Sequence, residues 1–183
     1  MVSGINPGNN VGRSVYHSGT VGAALTARNG GTTGIAVSQR TDFAQFLGQG
    51  EPVEQLWQTA ATVTGSVVAG VIESPPERPV AINLNVDNIP LEEVKGWKRA
   101  EVISAPFAGT TALNLTPTEA DPERFEIKMN WGSGKRPDPL PGSDLAAVVD
   151  GYVAVSYLTE LSEDPSLTSP GVEAQLSTLI GNA

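Results

Sequence analysis

The residues best suited to chemistry sit in the first twenty positions. Ser3-Gly4-Ile5-Asn6-Pro7-Gly8-Asn9-Asn10-Val11-Gly12 is followed, after a short interval, by His17-Ser18-Gly19-Thr20. Side-chain amides and hydroxyls both donate and accept hydrogen bonds, and glycines let a backbone approach a ligand, so the set suits a phosphate group. Asn6 to Asn10 is expected at the carboxyl end of a strand, where open α/β sheets place ligands. Ser18, Gly19 and Thr20 precede an Ala- and Leu-rich stretch and are expected to open a helix, whose first amides and positive end favour an anion. Taken singly, Asn-Pro-Gly-Asn reads as a polar Asx turn and Ser-Gly-Thr as a helix cap. Asn10 and Ser18 are eight residues apart, which is short enough for the loop to return and make one anion site of the two.

Other chemistries fit less well. His17 adjoins Ser18, but sequence neighbours seldom aim at each other as nucleophile and base, and no Gly-x-Ser-x-Gly elbow is present. Gly4, Gly8 and Gly12 do not make the Gly-x-Gly-x-x-Gly of a dinucleotide site, and there is no P-loop. The earliest carboxylate is Asp42, so the anion strip itself offers a hard cation only amide and hydroxyl oxygens.

Composition bounds the rest. The chain has 183 residues, 39% of them hydrophobic, enough for one ordinary globular domain. Its 11 Lys and Arg against 20 Asp and Glu give a net charge of -9, which argues against a nucleic-acid polymer as partner because phosphate backbones are repelled. There is no cysteine, hence no disulfide and no thiolate ligand. Neither a signal peptide nor an apolar run long enough for a membrane span is visible, so the expectation is a soluble, cytoplasmic protein with no membrane partner.

The elements needed to position the strip follow from pattern. A strand ends near Asn6, a short helix runs from Ser18 to Arg28 and stops at Asn29-Gly30-Gly31, and Gly34 to Ser38 reads as a strand covered on both faces. Pro52 opens the longest amphipathic helix, with Val53, Leu56, Trp57, Ala60, Thr64, Val67, Val68 and Val71 at helical steps and Gly65 and Gly70 weakening it. Val80 to Val86 alternates as a strand leaving the core. Strand and helix alternate throughout this half, which predicts a largely parallel sheet covered by helices. Beyond Lys98 the pattern changes to ribbon strands at Val102-Ile103 and at Phe125, Ile127, Met129 and Trp131, followed by a turn-rich loop from Gly132 to Gly142. Ser143 or Asp144 caps a helix to Val149, Gly151 ends it, and Tyr152 to Leu158 is a last strand. A polar tail follows, with Val172, Leu176 and Leu179 as one helical stripe.

Val2 to Gly12 together with His17 to Ala24 resembles the survival protein SurE family of nucleotidases. Ile35-Ala36-Val37-Ser38, Asn83-Leu84-Asn85-Val86 with Pro90, and Gly142-Ser143-Asp144 leading to Gly151-Tyr152-Val153 resemble further family blocks in order. The resemblance implies an α/β three-layer sandwich with a mainly parallel, Rossmann-like sheet and a protruding antiparallel hairpin used for dimer exchange. It places the phosphatase domain at residues 1–160 and a tail at residues 161–183. It implies a phosphomonoesterase, dependent on a divalent cation, Mg or Mn, that releases phosphate from nucleoside monophosphates and works as a homodimer or tetramer. By position, Asn6 matches the metal-ligating asparagine, and Asn10, Ser18, Gly19 and Thr20 match the phosphate site. His17 stands where many members have tyrosine. The family's opening strand and Asp-Asp pair, and a later serine, have no counterpart here. The sheet is therefore expected to lack its first βαβ portion, through a misplaced start or a broken gene, and the chain alone to turn over little. A non-catalytic nucleotide-binding or assembly module is the alternative, and a fragment that does not fold alone is a third.

Overall fold

The structure is a computed structural model and describes residues 1–41, 53–103, 112–118, 121, 123–130, 138–159 and 169–180. Three parallel strands, β1 (Val2–Pro7), β2 (Gly34–Gln39) and β3 (Ala81–Val86), form one side of the five-stranded main sheet. Two more complete it: β4 (Trp97–Arg99) and β7 (Val153–Leu158), in the order β1-β2-β3-β7-β4. β7 runs antiparallel to β3 and parallel to β4, so the sheet is mixed but mostly parallel, as the fold class expected. The remaining strands, β5 (Ala112–Pro117) and β6 (Phe125–Asn130), make a separate antiparallel hairpin.

Both faces of the sheet are covered, and unequally. On one, Ile35, Val37, Ile82, Leu84, Val86 and Val153 pack under α2 (Trp57–Glu73) through Ala60 and the partly buried Val63, Val67, Val68 and Val71. On the other, α1 (Gly19–Asn29) lays Val21 and Ala24 on Ala36, and α3 (Asp144–Val149) lays Ala147 and Val148 on Ala154 and Ala100. The residues of this second face are small, which brings the helices close. A Cβ on Gly34 would lie 2.1 Å from the Ala24 carbonyl oxygen, a contact no real side chain tolerates.

Several elements differ from the sequence expectation. β3 does not leave the core: all six of its residues are buried, including Asn83 and Asn85. β1 lies at the sheet edge, with Val2 47% exposed. α2 begins at Trp57; Val53 and Leu56 precede it, and Pro52 lies outside the described residues. The cause is Asn88, whose Oδ1 accepts from the Leu56 amide at 2.8 Å and whose Nδ2 donates to the Glu54 carbonyl at 2.8 Å, serving that backbone in place of a helical turn. The strand expected at Val102-Ile103 forms instead at Trp97–Arg99, and the partner of β6 is Ala112–Pro117. Trp97–Arg99 has no apolar run, so the ladder with β7 rather than local pattern decides it. Trp131 and residues 132–137 of the turn-rich loop lie outside the described residues. The tail contains a helix, α4 (Pro170–Ile180), but Val172 and Leu179 of its stripe are 57% and 79% exposed. Among the described residues no helix is long and apolar enough to cross a membrane.

Two glycines should respond in opposite ways. Gly34→Ala forces α1 off β2 and is expected to cost about 2 kcal/mol or more, at the upper part of the overpacking range. Gly65 is exposed on α2 with nothing within 4 Å of an added Cβ, so Gly65→Ala is expected to gain about 1 kcal/mol from helix propensity. Urea unfolding of the two variants checks both signs.

Candidate functional site

The site is assembled at the carboxyl ends of β1, β2 and β3. α1 reaches it because of how it crosses β2: Ala24 lies over Gly34 and Val21 packs with Ala36, so the helix starts toward the Ser38 end of the strand. Ser18 precedes Val21 by three residues, about 4.5 Å along a helix axis. Ser38 lies two residues past Ala36 on the same sheet face, about 6.6 Å further along β2. Ser18 is the cap, in extended conformation, with its Oγ accepting from the Val21 amide at 3.1 Å and its carbonyl from the Gly22 amide at 2.9 Å. The amides of Gly19 and Thr20, in the first turn, have no intrahelical carbonyl to bind. The Ser18 hydroxyl hydrogen is not used by the cap, in which the oxygen is the acceptor.

The segment from Asn6 to Gly12 crosses the same strand ends. Between Ser3 and Asn6, β1 carries one more residue than β2 does between Ala36 and Ser38, an irregularity of the kind that re-aims side chains next to active sites. Asn6 is half-buried, and its Nδ2 donates to the Gly8 carbonyl at 2.7 Å. Asn10 is buried, and its Nδ2 donates to Ser38 Oγ at 2.7 Å. The Asn10 amide donates to Asn85 Oδ1 at 2.8 Å, while its carbonyl accepts from Asn83 Nδ2 at 2.9 Å and Asn85 Nδ2 at 3.1 Å. A 3-10 turn, Gly12–His17, then leads to Ser18. His17 is exposed at its end and Ser18 Oγ is occupied by the cap, so the two do not form a nucleophile and base. Asn10, bonded to Ser38, and α1, packed through Val21 on Ala36, therefore lie over the same sheet face. Ser38, Asn83 and Asn85 were not singled out as site residues; the available signal was asparagine at alternate positions of a strand flanked by apolar residues.

Asp144 adds the one charged side chain among the buried described residues. Ser143 caps α3, its Oγ accepting from the Ala146 amide, and this leaves the Asp144 carboxylate for the loop. Oδ2 accepts from the Gly12 amide at 2.9 Å and Oδ1 from the Leu145 amide at 2.9 Å. Burial pushes its pKa above the usual carboxylate value, against the pull of the Gly12, Leu145 and Asp144 amides. Gly12 has φ +52°, and a Cβ there would stand 2.9 Å from the Ile103 carbonyl oxygen, so the glycine is required at this close crossing.

A divalent cation is poorly served by what is described. Asn6 offers one amide oxygen, since its nitrogen is committed to Gly8, and the two oxygens of Asp144 are committed to amides. Among the described residues no three of His, Cys, Asp and Glu stand close enough to hold a metal. Hard cations such as Mg take about six oxygens, carboxylates foremost, so these residues alone do not fit one.

The pattern of the family described as survival protein SurE matches residues 1–108. The chain belongs to the SurE family. The 5'/3'-nucleotidase SurE of Escherichia coli is 34% identical over 160 residues, covering 86% of this chain and 56% of that protein. The 5'/3'-nucleotidase SurE of Shigella dysenteriae shows the same values, and that of Erwinia tasmaniensis is 33% identical over 158 residues. The chain thus spans about half the length, 56%, of the curated SurE relatives it matches. A crystal structure of the SurE protein from Aquifex aeolicus shares the fold, with a TM-score of 0.64 at 24% identity, over 97% of this chain and 64% of that one.

The raised pKa of Asp144 gives the SurE fold a testable pH dependence. Because the folded state holds this proton more tightly than the unfolded chain, the group's stabilisation is complete below the unfolded value of about 3.9 and is lost as pH rises through the folded value. Asp144→Asn removes the titration. The melting temperature of the variant is expected to rise relative to the parent between pH 4 and pH 7; a constant difference across that range would contradict the assignment.

Proposed function

We propose that the chain binds the phosphate of nucleoside monophosphates at this site, as part of a phosphomonoesterase that hydrolyses them to nucleoside and phosphate. The observation that supports this reading is that the Asn10 segment, through Ser38, and α1, through Val21 on Ala36, lie over one sheet face with the capped start of α1 toward the Ser38 end. In it the amides of Gly19 and Thr20 and the hydroxyls of Ser18 and Thr20 take the phosphoryl oxygens, and Asn10 lines the same side. A helix start suits this task because its unsatisfied amides already point along the axis and carry the positive end of the dipole. Membership of the SurE family and the names of the nucleotidase relatives support the substrate class.

When bound, a divalent cation, Mg or Mn, polarises a phosphate and lowers the pKa of water. Asn6 would supply one oxygen to it. Among the described residues no group of His, Cys, Asp and Glu completes the set, and the cation takes no step. That donor set favours a second reading for the chain by itself: a module that binds nucleotide without appreciable turnover. Phosphate release from AMP with Mn present separates the two, since activity of this 183-residue chain would exclude the module.

Gly19 provides the sharper test. It is the first residue of α1, nothing lies within 4 Å of an added Cβ, and Ser18 before it is extended with ψ 118°. Proline is tolerated at such a position and after such a residue, yet it deletes an amide. Gly19→Pro is expected to leave the melting temperature unchanged and to weaken AMP binding about tenfold by calorimetry, the size of one lost charge-assisted hydrogen bond. Unchanged affinity would remove the start of α1 from the site.

The β5–β6 hairpin is the segment we assign to self-association into a homodimer or tetramer. It pairs with no strand of the main sheet, and Leu115 and Phe125 are 62% and 54% exposed. Phe125→Glu is expected to lower the mass seen by sedimentation equilibrium; an unchanged mass would move the contact elsewhere.

A further inference from the structure

The segment from Gly8 to Gly12 is tied down through every second amide. Gly8 N donates to the Gln39 carbonyl of β2 at 2.7 Å, Asn10 N to Asn85 Oδ1 of β3 at 2.8 Å, and Gly12 N to Asp144 Oδ2 of α3 at 2.9 Å. These are three different elements, each fixing one alternate residue. The amides between them, of Asn9 and Val11, have no hydrogen-bond partner among the described residues. Neither residue is buried, and Val11 is extended, with φ -120° and ψ 154°. In an extended residue the amides on either side point to opposite sides, so the Val11 amide points away from the Gly12 amide that Asp144 of α3 holds, and the Asn9 amide lies between the ties at Gly8 and Asn10.

We infer that Asn9 and Val11 supply two further backbone amides to the phosphate, and that Asn83 and Asn85 are the positioning residues that present them. The inference rests on the site proposed above and extends it to the opposite wall. Asn85 is suited to the role because one neutral side chain serves both backbone polar groups of one residue, accepting from Asn10 N and donating to Asn10 O. Asn83 donates to the same carbonyl. A carboxylate at position 85 could accept but not donate, and would set a negative charge behind an anion site. An apolar residue would leave the buried Asn10 backbone unserved, which costs more than the bond itself is worth.

Titration of the 15N-labelled full chain with inorganic phosphate, followed through backbone amide resonances, tests this. The expected result is that the Asn9 and Val11 amides shift with the same dissociation constant as those of Gly19 and Thr20, while Gly8, Asn10 and Gly12 stay nearly still. Asn85→Ala is expected to weaken phosphate binding at least about tenfold. Thr59→Val serves as control: it removes a buried hydroxyl bonded to the Ile89 carbonyl on the far face, lowering stability without touching the loop. Control binding should match the parent. Should Asn85→Ala not fold, Asn85→Asp keeps the acceptor for Asn10 N. Its phosphate affinity is expected to be low at neutral pH and to recover toward the parent's, measured at the same pH, as the introduced carboxyl is protonated. Shifts at Gly19 and Thr20 without shifts at Asn9 and Val11 overturn the inference and leave the helix site standing. No shift at any of them overturns both. Parent-like affinity in the Asn85 variants, or equal loss in the control, removes the positioning role.

Discussion

A buried stretch of backbone that belongs to no helix or strand must find donors and acceptors elsewhere, and at Asn10 this single requirement organises the site. Its amide and carbonyl are bonded to Asn85 and Asn83 and its side chain to Ser38. An unpaired peptide group in that position would cost roughly 1–3 kcal/mol, a large part of the stability of a marginal domain. Two asparagines in the middle of a fully buried strand are the consequence. They look like faults in β3 if the strand is considered alone, and become necessary once the loop above it is included.

The two faces of the sheet then divide the work. Under α2 the strands present Ile35, Val37, Ile82, Leu84, Val86 and Val153, and these form the apolar core of that face. Under α1 and α3 the same strands present Ala36, Ser38, Asn83, Asn85, Ala154 and Ser156, all buried. The first face supplies hydrophobic burial, at about 25 cal/mol per Å² of apolar surface. The second gives up part of that gain for polar groups that hold a loop, and for small side chains that let α1 approach β2 closely at Gly34. A site at the strand ends therefore depends on residues placed well inside the sheet.

The sequence shows the order of strands and helices through Val86 because covered strands and amphipathic helices leave apolar periodicity. It also shows Ser18 and Ser143 as caps, since an exposed backbone amide near a hydroxyl is a local matter. What it hides is long-range. Trp97–Arg99 has no apolar run, and only the ladder with β7 makes it a strand. Leu56 falls outside α2 because Asn88, 32 residues away, takes its amide. Asn10 is separated by 75 residues from Asn85, and Gly12 by 132 from Asp144. Those distances also explain why Asn6, Asn10, Ser18, Gly19 and Thr20 were readable as candidates while Ser38, Asn83 and Asn85 were not. Residues that would face a ligand are concentrated in one strip, whereas residues that hold the strip are spread over the whole sheet.

The electrostatics bound what kind of anion the proposed site could take. With a net charge of -9, the chain repels phosphate at long range. Screening removes most of that repulsion beyond about 8 Å at physiological ionic strength, so the local groups govern once the anion has arrived. Those groups are neutral dipoles: backbone amides, hydroxyls and asparagine side chains. The buried carboxylate beside them, Asp144, spends its oxygens on the Gly12 and Leu145 amides. Its charge is thereby directed into backbone donors rather than toward the ligand, and its raised pKa lowers the fraction ionised. Dipoles of this sort attract only when they are aligned, because each falls off faster with distance than a full charge and reverses sign with direction. Affinity here must therefore come from geometry, and the ties that fix Gly8, Asn10 and Gly12 on three separate elements supply that geometry before any ligand is bound.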